Sequence, residues 1–287
     1  MQYFSEEHSS EVVKQQYKNC KNQRLKKIME SAIEHLHAFV KDVEPTQEEW
    51  MYMIEYLTKT GQKCDDKRQE FILLSDVLGI SALVDTINNR KTLNATESTV
   101  LGPFHVKNAP KKSMGENINQ DGKGEPAFIF GKVTDTEGNP IKGAEIDVWQ
   151  ANEDGFYDIQ QPDVQPEMNL RGVFTTEENG KYWFKSVKPK FYSIPTDGPV
   201  GTMIFATGRH PNRPAHLHYI VSAPGYKPVV THVFVKGSEY LDSDAVFGVK
   251  DSLISEYKFV DDIERAKDVG FNTTYYELEF NFVLEKP

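Results

Sequence analysis

The chain has 287 residues, 38% hydrophobic and 26% charged, the balance of an ordinary water-facing protein with one large domain or two small ones. A formal net charge of −10 argues against nucleic acid as a partner, because phosphate binding needs clustered Lys and Arg. Cys20 and Cys64 make neither a disulfide framework nor a thiolate metal motif, the stretch Met1–Glu7 has neither a basic start nor an apolar core, and no run is long enough to span a bilayer, so a cytoplasmic protein without a signal peptide is the expectation.

In chain order, residues 1–20 are polar and predict a loosely docked start. From Leu25, apolar residues recur at three- and four-residue steps (Ile28, Met29, Ala32, Leu36, Phe39, Val40, Val43), which predicts a helix stopped by Pro45. Thr46 and Glu49 form a capping box for a second helix that carries Trp50, Met53, Ile54 and Leu57, with Gly61 as its C-cap. A third helix is expected to begin near Asp65 and carry Phe71 to Leu74, and a fourth to cover Ser81 to Asn88. Apolar residues such as Trp50 and Phe71 read as core or as an interface with a second copy; a lipid or cofactor groove is the remaining reading. The helical region has more apolar face than a small cap needs, which predicts a homodimer through residues of about 25–90.

Residues 105–126, rich in Lys, Asn, Gly and Pro, predict a connecting loop. The period then changes to two. Strands are expected at Phe128–Val133, Ala144–Trp149, Thr202–Ala206, His216–Ser222, Val229–Val235 and Tyr275–Leu284, with a hairpin at Asn179-Gly180 and a late helix within Ser252–Ala266. Helices followed by many short strands imply an α+β chain: a helical dimerisation domain (1–104), a loop (105–126) and an antiparallel β-sandwich catalytic domain (127–287).

The chemistry gathers between Tyr157 and His218. His216 and His218 lie at i and i+2 of a strand, so both imidazoles face one side and Leu217 the other. They read either as hydrogen-bonded core histidines or as half of a metal site. The chain has 13 tyrosines, so Tyr157 and Tyr192 decide nothing by themselves.

The segments Val100-Leu101-Gly102-Pro103-Phe104, Asp147-Val148-Trp149-Gln150, Gly155-Phe156-Tyr157, Leu170-Arg171-Gly172, Tyr192-Ser193-Ile194-Pro195, Arg213-Pro214-Ala215-His216-Leu217-His218 and Ser222-Ala223-Pro224-Gly225 resemble the intradiol ring-cleavage dioxygenases. The run Tyr240–Lys250 is similar to the hydroxyquinol-cleaving branch of that family. The resemblance runs from about Arg68 to Val283.

It implies that Tyr157, Tyr192, His216 and His218 bind one Fe(III) per subunit, and that Tyr192 is the tyrosinate that leaves the metal and takes a substrate proton. Such a donor set is chemically reasonable, because a hard trivalent ion prefers anionic oxygen beside imidazole and displaces a phenol proton that otherwise leaves near pH ~10. Arg213 would stabilise carbanion character on the ring carbon that O2 attacks; taken alone it could equally be a surface ion pair. His232 would hydrogen-bond near the iron. Leu73, Asp76, Val100, Leu101, Gly102, Pro103, Phe104, Ile194, Pro195, Arg213 and Val246 would line the substrate pocket. Asp76 would accept a hydrogen bond from a third ring hydroxyl, or else merely cap or pair within the helices.

The implied partners are O2 and a small aromatic diol or triol: hydroxyquinol, or, as the alternative, catechol or a chlorocatechol. The family also implies a dimer contact through the helices, with a phospholipid at the interface. A metal-free sandwich that only binds ligands, and a zinc hydrolase using His216 and His218, are the readings from other classes. His105 and His210 are expected to be ordinary polar residues.

Overall fold

In the computed structural model, which describes residues 3–66, 68–92 and 94–287, helices occupy the first ninety residues and strands much of the rest. The chain divides into two compact units, Met1–Lys59 and Thr60–Pro287.

The start is more ordered than its polarity suggests. Helix α1 (Ser9–Lys14) places Lys14 in an ion pair with Glu34 of α2 (Gln23–Val43), and Phe4 meets the His37 ring edge-on at 6.5 Å; Met1 and Gln2 lie outside the described residues. Asn22 caps α2 by accepting a hydrogen bond from the Leu25 amide at 3.0 Å. Helix α3 (Gln47–Gln62) opens on the expected capping box: Thr46 Oγ1 accepts from the Glu49 amide at 3.2 Å, and Glu49 Oε2 accepts from the Thr46 amide at 2.8 Å. Helix α4 (Glu70–Val77) begins later than Asp65, whose carboxylate instead caps a turn by accepting from the Arg68 amide. Helix α5 (Ile80–Asn88) follows directly.

Not one residue of α2 is buried, and Trp50 and Phe71 are each 46% exposed. Within a single chain these apolar faces are therefore not core.

Two five-stranded sheets follow. One contains β10 (Lys258–Val260), β11 (Tyr275–Glu279), β1 (Pro126–Asp135), β12 (Phe282–Leu284) and β4 (Lys181–Val187). The other runs β3 (Arg171–Thr175), β2 (Glu145–Trp149), β7 (His216–Ser222), β8 (Val229–Val235), β9 (Ile254–Ser255). Ile129, Val133 and Phe184 of the first sheet meet Val148, Leu217, Tyr219 and Val233 of the second in one core, each such side chain contributing about 1.5–3 kcal/mol over exposure.

The sandwich is mixed, not purely antiparallel. β1 pairs parallel with β11 and β12, and β8 parallel with β9, because the C-terminal segment returns to lie along strands already formed. The Asn179-Gly180 turn forms, with Asn179 Oδ1 accepting from the Lys181 amide at 3.0 Å, but it makes no hairpin. β3 joins β2 and β4 joins β1, so the turn links the two layers; alternation reveals a strand but not its partner.

Thr202–Ala206 lies in a helix, α6 (Pro199–Ala206), with Pro199 in its first turn and the Val200 amide held by Glu70 Oε1 at 3.1 Å. The expected last strand breaks into β11 and β12 where Phe280 N–H bonds Phe130 O and Asn281 Oδ1 takes the Lys132 amide. Within Ser252–Ala266 a 3-10 turn (Asp251–Leu253) comes first and the α-helix only at the end: α7 (Ile263–Asp268) starts where Asp262 accepts from the Glu264 and Arg265 amides at 2.9 and 3.1 Å. Residues 105–126 are irregular up to β1, apart from isolated bridges Lys111 to Val173 and Asn117 to Lys185.

Candidate metal centre

Trp149, His218 and His232 lie in register across β2, β7 and β8, so their side chains share one face. His216 shares it at i−2. This is the face away from the sandwich core, since the residues between them, Leu217 and Val233, belong to that core. A short pair, β5 (Tyr192–Ser193) with β6 (Asn212–Arg213), sets Tyr192 directly opposite Arg213. Tyr157 stands just past the turn after β2, where Asn152 Oδ1 accepts from the Phe156 amide at 2.9 Å and Gln160 Oε1 from the Tyr157 amide at 2.9 Å. Phe104 stacks on the Tyr157 ring at 4.5 Å.

The four expected ligands converge. Tyr157 Oη is 2.7 Å from His218 Nε2 and 3.3 Å from Tyr192 Oη, and His216 Nε2 is 3.1 Å from His218 Nε2. All four side chains are at most 6% exposed. His216 Nδ1 donates to the Pro214 carbonyl at 2.7 Å, which leaves a lone pair on Nε2 aimed at the cluster. Burial, and then the Arg213 cation, pull His216 down to about 3. Burial and the neighbouring His216 push His218 well below the usual imidazole range. Both rings are therefore neutral at pH 7, as metal ligands must be. Burial first, then the Tyr192 phenol, raise Tyr157 well above the ordinary phenol value. Two neutral imidazoles and two buried tyrosine oxygens make a donor set that a hard, multiply charged cation would fit.

Gly102 makes this closeness feasible. Its φ is +78°, and a Cβ there would sit 3.0 Å from His218 Cε1. The Gly102 backbone therefore packs directly against the His218 imidazole. Trp149 lies on His218 at 4.8 Å, nearly parallel, with 12° between the planes.

Arg213 is 2% exposed and reaches Tyr192 Oη at 3.4 Å, His216 Nε2 at 3.3 Å and His232 Nδ1 at 3.3 Å, with its remaining edge on Asp244 at 3.0 Å. The surface ion-pair reading therefore fails. Burial alone would lower its pKa, but Asp244 and the two phenols more than offset that and keep it charged. The nitrogens of His216, His218 and His232 lie within 4.8 Å of one another among the described residues. His232 turns Nδ1 to Arg213 at 3.3 Å and leaves its buried Nε2 without a hydrogen-bond partner.

Of the expected pocket residues, Val100, Ile194 and Val246 form one apolar cluster with Val77, Val200 and Ile204, and Leu73 packs against it. Asp76, 8% exposed, is raised by burial and sits within the electrostatic reach of Arg213. Leu101 is 42% exposed and Pro103 is exposed as well, while the Phe104 carbonyl accepts from Arg171 Nη1 at 2.8 Å. Ile194 N–H bonds the Pro211 carbonyl, and Pro195 is half-buried beside it.

Sequence reasoning gave no role to Asp244, to Trp149, or to the buried pair Arg171–Asp158 (2.8 and 2.5 Å), although all but Asp158 lay within the motifs it quoted and Asp158 directly follows one. A buried Arg needs a carboxylate, and that need was the available signal. His105 pairs with Asp147 at 2.9 Å and His210 packs on Tyr240 at 4.5 Å, away from the converging donors.

Residues 22–96 match the family model of the catechol dioxygenase N terminus, and residues 100–286 that of the dioxygenase family. The chain belongs to the intradiol ring-cleavage dioxygenases. It is 55% identical over 285 residues to hydroxyquinol 1,2-dioxygenase of Rhizobium sp. strain MTP-10005, covering 99% of this chain and 97% of the relative. It is 46% identical to 6-chlorohydroxyquinol 1,2-dioxygenase of Cupriavidus pinatubonensis over 99% of both chains. The structure of hydroxyquinol 1,2-dioxygenase from Pseudomonas putida DLL-E4 superposes with a TM-score of 0.93 at 46% identity, covering 98% of this chain and 99% of that one. Among the described residues, no helix is long and apolar enough to cross a membrane.

Proposed function

We propose that this chain cleaves hydroxyquinol between its two adjacent hydroxyl-bearing carbons with O2, at an Fe(III) held by Tyr157, Tyr192, His216 and His218, one iron per subunit. The observation that carries the reading is the convergence of two buried phenols on two imidazoles held neutral. Both oxygen atoms enter the product, 3-hydroxy-cis,cis-muconate or its keto tautomer maleylacetate, so no external reductant is consumed. Ferric iron held by these four residues would supply the Lewis acidity that eases loss of the diol protons.

The residues do the rest. Tyr192 takes a proton from the incoming diol; Arg213 Nη1, 3.4 Å from its oxygen, is placed to stabilise that oxygen in either protonation state. The same guanidinium stabilises charge developing on the ring carbon under attack. His232, held by Arg213 Nη2, fixes the polar wall behind His216. Val100, Ile194 and Val246 exclude water from one side, with Leu73 behind them. Asp76 accepts from the third hydroxyl, the group that catechol lacks.

We further propose a cytoplasmic homodimer through residues of about 25–90, with a phospholipid on the apolar helical faces, and a functional division into helical (1–104), connecting (105–126) and catalytic (127–287) parts. The exposed stripe of α2 supports the dimer.

The test is colour, iron and substrate ratio together. The purified protein is expected to be red-brown with iron near one per subunit, and to favour hydroxyquinol over catechol in kcat/KM. Asp76→Ala is expected to cut that preference by about ten- to a hundredfold, the worth of a lost buried hydrogen bond of about 1–3 kcal/mol. Colourless, iron-free protein from iron-replete cells would sink the enzyme reading. A better catechol rate would sink the substrate, and an unchanged ratio in Asp76→Ala would sink that residue's role.

A further inference from the structure

The run Tyr240–Lys250 contributes more than resemblance. Asp244, 5% exposed, grips Arg213 with both oxygens: Oδ1 takes Nε at 3.0 Å and Oδ2 takes Nη2 at 3.2 Å. The same carboxylate accepts from the Val246 amide at 3.3 Å and the Gly248 amide at 2.9 Å, so its four acceptor places are filled. The loop is itself anchored, with Ala245 N–H on the Asn212 carbonyl, Arg209 Nη2 on the Ala245 carbonyl at 3.0 Å and Thr99 Oγ1 on the Gly248 carbonyl at 2.9 Å.

A guanidinium is a rigid planar fork. Once one edge is fixed on Asp244, the directions of Nη1 and Nη2 follow, and these are the nitrogens that meet Tyr192, His216 and His232. Glycine at 248 preserves the arrangement, since a Cβ there would lie 2.9 Å from Arg213 Nη2 and 3.2 Å from Asp244 Oδ2.

We propose that Asp244 is a positioning residue: it touches none of the four converging donors, and sets the orientation and charge balance of the Arg213 guanidinium through which the site acts. Val246, in the same loop, belongs to the buried apolar cluster of Val100 and Ile194, so one short segment carries both the carboxylate that holds the cation and part of that apolar surface. The inference rests on the dioxygenase reading above.

Its test uses the iron-loaded protein and two unlike perturbations. Asp244→Asn removes the charge; Gly248→Ala keeps every charge and pushes a methyl group against the guanidinium. Each is expected to lower kcat at least about tenfold, with KM and iron per subunit within about threefold of wild type. In an Arg213→Gln background, Asp244→Asn is expected to cost less than about threefold more, because a residue acting only through Arg213 has nothing left to act through. Multiplying losses in the double variant, an undiminished kcat in Gly248→Ala, or loss of iron as the sole defect would each overturn the proposal. Crystals of the two variants give a readout free of activity: a guanidinium in its native place in both overturns it, and a displaced one supports it. Should the wild type hold no iron and cleave no diol, the reading beneath would fall, and the crystallographic arm would still decide what Asp244 does to Arg213. Gly248→Ala also decides the matter if Asp244→Asn does not fold.

Discussion

Replacing Asp158 with Ala should unfold the catalytic unit at a much lower temperature without removing any candidate ligand. Asp158 Oδ1 receives Arg171 Nε and Nη2 at 2.8 and 2.5 Å, and its Oδ2 receives the Met168 amide at 3.0 Å. Arg171 is 1% exposed, so the variant leaves a buried cation unpaired, at a cost of about 3–5 kcal/mol. Against a total stability of about 5–15 kcal/mol that is a large fraction. The unit Thr60–Pro287 is of a size where each kcal/mol moves Tm by about 2–4 °C, so the midpoint should fall by roughly 6–20 °C. Scanning calorimetry on both singles and on Asp158→Leu/Arg171→Met measures it. The double variant removes both charges; it leaves the Phe104 carbonyl and the Met168 amide without these partners, and should lie within about 2 kcal/mol of wild type. A single-variant loss below about 1 kcal/mol, or simple addition of the two single losses, would refute the argument.

Four further outcomes are expected. Gly102→Ala, which demands a left-handed backbone costing about 1–2 kcal/mol and crowds His218, should lower Tm by roughly 2–8 °C and reduce iron content; protein unchanged in both would contradict the contact. His216→Ala should lose iron and Tyr157→Phe should shift or bleach the visible band, an unaltered spectrum removing Tyr157 from the ligand set. Asp197 is held at about 2 by Arg68 and Lys63 against an ordinary 3.8, so its stabilisation is fully present above pH ~4 and fades as pH falls toward 2. Because its side chain is 63% exposed, Asp197→Asn should cost well under ~1 kcal/mol at pH 7 and nothing near pH 2, as thermal melts across that range would reveal. Light scattering at micromolar concentration should return twice the 32.8 kDa chain mass, and a single-chain value would reject the dimer.

Much of this was legible in the residues, and the failures have physical causes. β7 and β8 were read to the residue because each is a short apolar, β-branched run bounded by proline, glycine or lysine. The capping box at Thr46 and Glu49 was legible because both partners are local. Partnership between distant segments was not: nothing near Asn179-Gly180 says that its two strands join different sheets. Thr202–Ala206 misled because its short apolar run suits either state, and the deciding group, Glu70, lies more than a hundred residues away. The convergence of Tyr157, Tyr192, His216 and His218 was anticipated by resemblance alone, since no spacing rule connects a loop, a two-residue strand and β7. Asp244 escaped for the same reason: its partner is 31 residues away in sequence.

The register across β2, β7 and β8 has a consequence for how such a chain can change length. Along β7, alternate positions answer to different demands: Leu217, Tyr219 and Val221 to the core, His216 and His218 to the opposite face. One residue inserted within β7 would turn every side chain beyond it to the other face, sending imidazole into hydrocarbon and leucine toward the phenols. The irregular stretch of residues 105–126 has no such phase to lose over most of its length. Length variation among functional descendants of this chain should therefore collect between the strands, while within β7 a single inserted codon would remove the core and the chemistry in one step.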